Sequence, residues 1–113
     1  MKKLVLLLIA VLVLTGCESN KKDYIPGTYI GIAEGYLNTV EVSVTVDEHY
    51  ILEIELIRSD DPEILMTAVM EELPRKIIKQ NGTDVESVSG ATYTSESLLE
   101  AIEAALEQAE NKE

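Results

Sequence analysis

Seven consecutive residues, Ser89-Gly90-Ala91-Thr92-Tyr93-Thr94-Ser95, gather four hydroxyl-bearing Ser and Thr side chains around two residues with almost no side chain. Small residues let backbone come close to a ligand. Leu98, Ile102, Ala105, Leu106 and Ala109 then recur at helical spacing, which predicts a helix starting directly after the segment. A helix start leaves backbone N–H groups unpaired and carries the positive end of the helix dipole. Hydroxyls, small residues and a helix start together make a candidate anion site, with phosphate the natural ligand. The same residues also read as a loop and cap, and Ser97 with Glu100 fits a capping box. The segment contains neither the Gly-x-x-x-x-Gly-Lys-Ser/Thr phosphate loop nor the Gly-x-Ser-x-Gly elbow of hydrolases.

The rest of the chain narrows the chemistry by what it lacks. Its 113 residues amount to one small domain, with nine basic against 21 acidic residues and a net charge of −12. Such a surface repels phosphate backbones, which excludes nucleic acid as a partner and makes the local field at residues 89–95 matter more than the net charge. A single Cys excludes a disulfide framework within the chain and a Cys-only zinc site; a single His argues against a His cluster or a catalytic triad. No metal site and no catalytic constellation is expected. There is no Trp and no Phe, so five Tyr carry the aromatic mass.

The elements that must hold the segment read as α+β: a small antiparallel sheet of about three strands packed with two or three helices. Thr28 to Ala33 reads as a first strand, followed by a turn region at Glu34-Gly35-Tyr36-Leu37-Asn38. Val40, Val42, Val44 and Val46 alternate with polar residues, the clearest strand signal in the chain. After a turn at Asp47-Glu48-His49, Leu52, Ile54 and Leu56 alternate with Glu53 and Glu55 and predict a third strand antiparallel to the second. Asp61 is expected to cap a helix with Pro62 at its first position, and Ile64, Leu65, Ala68, Val69 and Leu73 form its apolar stripe. Pro74 predicts a break and a second short helix to Gln80, ended by Asn81-Gly82. The last helix sets its apolar face against an acidic stripe of Glu96, Glu100, Glu103, Glu107 and Glu110. His49 is expected at the surface. A core this thin predicts marginal stability, which a group bound to the folded state would raise.

Residues 1–16 read as an address. Lys2 and Lys3 precede an unbroken apolar run over residues 4–14, too short to span a bilayer. Leu14-Thr15-Gly16-Cys17 resembles the bacterial lipoprotein box, in which the Cys is lipidated and becomes the first residue of the mature chain. An uncleaved hydrophobic anchor is the other reading, and both put the domain outside the cytoplasm against the membrane. The expected organisation is a lipoprotein signal peptide at 1–16, a lipidated Cys17 and polar tether at 17–25, and one domain at 26–110. Cleavage would remove Lys2 and Lys3 and leave seven basic against 21 acidic residues, so lipid rather than charge must hold the protein to anionic headgroups.

The order of residues 89–95 resembles the flavinylation motif of the FMN-binding domain family, which includes the subunits of sodium-translocating NADH:quinone oxidoreductases and Rnf complexes that carry covalent FMN. The resemblance extends from Gly27-Thr28-Tyr29 and Gly31 through Glu72-Leu73-Pro74 to the last helix. The family often has Asp three residues before the Ser, where this chain has Glu86. The chain resembles the minimal stand-alone form and lacks the insertions of the larger subunits.

The resemblance implies that a flavin transferase joins the FMN phosphate to the hydroxyl of Thr94. Ser89, Gly90, Ala91, Thr92, Tyr93 and Ser95 would complete the cofactor-binding segment. Tyr93 would stack on the isoalloxazine or pack as a core aromatic; Tyr29 and Tyr36 are more naturally sheet packing. The implied protein is a lipid-anchored flavoprotein of the bacterial cell surface, an electron carrier rather than an enzyme. Its implied donor is a membrane dehydrogenase or quinol oxidoreductase. A non-covalent FMN-binding module and a cofactor-free interaction lipoprotein stand as alternatives.

Overall fold

The computed structural model describes residues 23–34 and 39–111. Three strands, β1 (Gly27–Glu34), β2 (Thr39–Val46) and β3 (Ile51–Ser59), form one antiparallel sheet in the order β1-β2-β3. Two helices, α1 (Glu63–Gln80) and α2 (Thr92–Ala109), follow. α2 packs on β1 and β2 and α1 on β3, so the expected α+β fold is the one observed. Signal-peptide residues, Cys17 and Tyr36 lie outside the described residues.

β2 follows its alternation throughout: Val40, Val42, Val44 and Val46 are all buried. β3 does not. Register shifts opposite Glu41/Val42 and Thr45/Val46 leave Leu52 and Ile57 without a partner, and both are exposed, while Ile51 and Ile54 point to the core. Bulges of this kind reset the inside-outside phase, which a strict period-two reading misses.

The β2–β3 turn is held by one carboxylate. Asp47 Oδ1 accepts the N–H groups of His49 at 2.9 Å and Tyr50 at 2.6 Å. These two bonds hold the Asp47 carboxyl below its ordinary value of 3.8. A carboxyl so depressed adds stability above 3.8 and loses it as pH falls through the lower folded value. Asp47→Ala is therefore expected to lower the Tm at neutral pH. The gap from wild type should close as melts are repeated at pH values below 3.8.

α1 is one helix, not two. It runs through Pro74, which is buried, and Arg75 Nε donates to the Glu71 carbonyl at 2.9 Å beside the bond that proline deletes. Continuity also moves the buried face. It is Met66, Val69, Leu73, Pro74 and Ile77, whereas Ile64 is 83% exposed and Ala68 also faces solvent. Asp61 does not cap the helix: Pro62 occupies that position, and among the described residues no side chain caps the first turn. Asn81 ends α1 in the left-handed region, φ 58°, as expected. Its side chain accepts from Ile51 N–H at 2.8 Å and donates to the His49 carbonyl at 2.7 Å, tying the helix end to the start of β3.

The face expected of α2 is confirmed, with Leu98, Ile102, Ala105, Leu106 and Ala109 buried. The helix lies antiparallel to β1. Ile25 N–H donates to the Ala109 carbonyl at 2.8 Å, Gln108 Nε2 to the Ile30 carbonyl at 2.6 Å, and Gly31 abuts the backbone of Ala101 and Ala105. Tyr24, only 2% exposed, bridges to Glu110. Burial, with Glu110 adding to it, raises the Tyr24 phenol above 10.0. Tyr24 and Ile25 thus belong to the packed domain, although their polar neighbours read as tether. His49 is exposed as expected and pairs with Asp23 at 3.1 Å.

Candidate functional site

The seven-residue segment is a tight turn followed by the first turn of α2. Ala91 N–H donates to the Val88 carbonyl at 3.0 Å, closing the turn, and Gly90 adopts φ +83°, which favours glycine. A Cβ at Gly90 would meet nothing within 4 Å, so its backbone conformation rather than close packing calls for glycine. Ala91 is the residue flanking the helix and is itself buried.

Helix α2 begins at Thr92, earlier than the apolar periodicity indicates. Ser97 is therefore inside it, and its hydroxyl donates to the Tyr93 carbonyl at 2.9 Å instead of forming the capping box expected with Glu100.

The four hydroxyl residues separate by environment. Ser89 and Thr92 are exposed. Ser95 is fully buried, and its Oγ accepts the Val88 N–H at 3.0 Å, pinning the turn to the helix. Thr94 lies between these extremes, in the first helical turn and 4% exposed. Tyr93 is 62% exposed, which excludes the core-aromatic reading and leaves its ring on the surface beside the turn.

Among the described residues no side chain caps the first turn of α2, and that turn contains no acidic residue. An uncapped helix start presents N–H donors and the positive end of the dipole. In a chain of net charge −12 this is where a phosphate monoester or diester fits. The donor set thus suits the phosphate of a nucleotide cofactor, with Thr94 the hydroxyl at its edge.

Following β1 and α2 in opposite directions brings Thr94 to the end of the sheet where β1 stops, β2 starts and β3 stops. Asp60 N–H donates to the Thr39 carbonyl at 3.2 Å at that same end. There, β3 and the start of α1 enclose a cleft of about 570 Å³ whose lining includes Asp61. Sequence reasoning did not single out this cleft, because Asp-Pro before an apolar stripe reads as a helix start.

Comparison with known proteins gives a family and several relatives. The FMN-binding domain family matches residues 35–107. An NADH:fumarate oxidoreductase of Klebsiella pneumoniae (strain 342) is 28% identical over 81 residues, covering 72% of this chain and 9% of the relative. An uncharacterized protein of Treponema pallidum (strain Nichols) is 29% identical over 82 residues, covering 73% of this chain and 23% of the relative. An NADH:acrylate oxidoreductase of Vibrio harveyi is 26% identical over 83 residues, covering 74% of this chain and 8% of the relative. The chain spans less than a quarter of the length of each of these relatives.

Proposed function

The chain belongs to the FMN-binding domain family, whose cofactor is FMN, and we propose that it is an extracytoplasmic, lipid-anchored electron carrier with FMN joined through its phosphate to Thr94. The observation that carries this reading is Ser89–Ser95 folded as an uncapped, acid-free helix start with one hydroxyl, that of Thr94, at the boundary of the core. Two relatives named as NADH-dependent oxidoreductases support a redox role. Bound FMN supplies one- and two-electron chemistry, and the protein supplies placement and tuning. In this reading a flavin transferase would move the FMN phosphoryl group of a flavin dinucleotide onto the Thr94 oxygen, breaking the pyrophosphate bond with the nucleoside monophosphate as leaving group and passing the hydroxyl proton to a base of the transferase. The dipole of α2 offsets the remaining phosphodiester charge.

The reading also orients the molecule. Cys17 stands six residues before Asp23, a reach of at most roughly 20 Å. Asp23, Tyr24 and Ile25 are bonded to the C-terminal end of α2 or to Glu48 in the β2–β3 turn. Thr94 is fifteen residues back along α2 from Ala109, about 23 Å at the helical rise. An anchor at Cys17 would therefore join the domain at the end opposite Thr94. The donor in this reading is a membrane dehydrogenase or quinol oxidoreductase.

Acid precipitation of the full chain after co-expression with a flavin transferase tests the function. A pellet carrying flavin absorbance is expected. Flavin released to the supernatant would mean non-covalent binding, and a colourless protein would mean an interaction lipoprotein without cofactor. The anchor has its own test in Cys17→Ala, which should yield an uncleaved or released precursor without diacylglycerol by intact mass. A variant still in the membrane fraction with unchanged mass overturns it.

A further inference from the structure

At the end of the domain opposite Thr94, β1 and β3 begin and β2, α1 and α2 finish. Four large apolar side chains face solvent there: Ile25, Tyr50, Leu52 and Ile78. Hydrogen bonds hold the backbone that carries them. Ile25 N–H donates to the Ala109 carbonyl at 2.8 Å. Tyr50 and Leu52 flank Ile51, whose N–H donates to Asn81 Oδ1 at 2.8 Å, and Ile78 stands beside Lys79 in the last turn of α1, just before Asn81. The exposure is therefore built into the fold and is not that of a loose end. Tyr50, with 60% of its surface open, is the most exposed of the four.

Charge does not account for this end. Asp23, Asp47, Glu48 and Glu110 stand there with His49 and Lys79, and two of the carboxylates are already engaged. Asp47 takes the N–H groups of His49 and Tyr50, and Asp23 pairs with the His49 ring. An anionic surface gains little from such a mixture, whereas the apolar side chains gain by leaving water. Exposed apolar groups gathered in this way mark a surface that meets a protein or a membrane.

Resting on the lipid-anchor reading above, we propose that this end is a membrane-docking face, with Ile25, Tyr50, Leu52 and Ile78 seated at the boundary between headgroups and acyl chains of the bilayer that holds Cys17. The chain before Asp23 identifies the occupant. Six residues separate Asp23 from Cys17, so a lipidated Cys17 keeps this end within roughly 20 Å of the bilayer. A tether limits distance but leaves orientation free; an apolar face sets it. The side-chain types suit the boundary. Aliphatic groups enter the acyl layer, a tyrosine ring does so with its hydroxyl still wet, and a lysine stem lies along apolar surface with its ammonium among the headgroups. Ile57, Ile64 and Tyr93 are exposed as well, but they lie toward the Thr94 end, away from the anchor. Seated on this face, the domain turns its Thr94 end to the water.

The chain contains no Trp, so one introduced indole reports alone. Tyr50→Trp and, at the far end of α1, Ile64→Trp are made in the full-length chain. The proteins are purified from bacterial membranes and placed in phosphatidylcholine vesicles with and without bromine near the top of the acyl chains. Intact mass of each sample reads lipidation at Cys17. Bromine should remove roughly half or more of the Tyr50→Trp emission, because an interfacial face reaches the acyl boundary, and leave Ile64→Trp unchanged. Adding Ile25→Ser and Leu52→Ser to Tyr50→Trp should abolish most of that quenching with little change in Tm, since neither side chain is buried. Equal quenching at both positions, quenching at neither, or quenching that survives the two serines overturns the docking face. Quenching that appears only when phosphatidylglycerol is included also overturns it, because charge would then be the cause. A Cys17 without lipid overturns the anchor reading and this face with it; a lipidated chain without quenching overturns the face alone.

Discussion

Thr94→Ala is expected to carry no covalent flavin while remaining folded. The phosphoester needs a hydroxyl, and Thr94 bears the one at the core boundary of the first turn, whereas Ser95 uses its hydroxyl to hold Val88. Ala91, not Thr94, flanks the helix, and no side chain caps it, so the substitution removes no cap. Its cost is confined to a buried methyl and hydroxyl and partly returned by the higher helix propensity of alanine, leaving a change of about 1 kcal/mol or less. Thr94→Ser keeps an acceptor and should retain partial loading. Thr92→Ala removes an exposed hydroxyl from the same turn and should retain some covalent flavin. In-gel flavin fluorescence under denaturing conditions, after co-expression with a transferase, reads all three, and circular dichroism confirms the fold. Fluorescence persisting in Thr94→Ala would put the bond elsewhere. At 4% exposure the Thr94 hydroxyl must be uncovered for the transferase, and an uncapped first turn is the part of α2 that yields most readily.

What the sequence made legible depended on how local the cause was. β2 was plain because one face is wet and the other buried, which prints itself as alternation over eight residues. The Ser89–Ser95 segment stood out by its order of residues, but its secondary structure was misjudged by a turn. Thr94 and Ser95 are polar and buried, so they break the apolar pattern that marks a helix, even though they belong to α2. Pro74 misled for the opposite reason. A proline removes one N–H and crowds one carbonyl, and the packing of Val69, Leu73 and Ile77 on the core outweighs that local loss. Asp61 and Tyr24 were out of reach of any local pattern. One meets a cleft between β3 and α1, the other a helix end 86 residues away in the chain, and both are products of the tertiary fold.

That tertiary fit has its tightest point at Gly31, and Gly31→Ala should be the most damaging single-methyl change in the described domain. Gly31 sits in β1 opposite Val42, with its missing side chain directed at the middle of α2. A Cβ there would lie 2.8 Å from the Ala105 amide nitrogen and 2.9 Å from the Ala101 carbonyl carbon, with the Ala101 carbonyl oxygen closer still. These are backbone atoms inside a helix, not the ends of side chains that can rotate away. Relief requires lifting α2 off the sheet, which opens the packing of Ala101, Ile102 and Ala105, all fully buried. Overpacking typically costs 1–3 kcal/mol, and a backbone clash belongs at about the top of that range or above it. A domain of this size has roughly 5 kcal/mol in all, so a loss of ~3 kcal/mol leaves it barely folded. The Tm should fall by roughly 12–24 °C on the scale for small domains. Gly82→Ala is the matching control, since a Cβ there meets nothing within 4 Å, and its melt should stay close to wild type. If Gly31→Ala melts within a few degrees of Gly82→Ala, α2 does not lie on β1 as closely as described. The site would feel that shift as well, because the same helix that Gly31 admits to the sheet carries Thr94 to its end of the sheet.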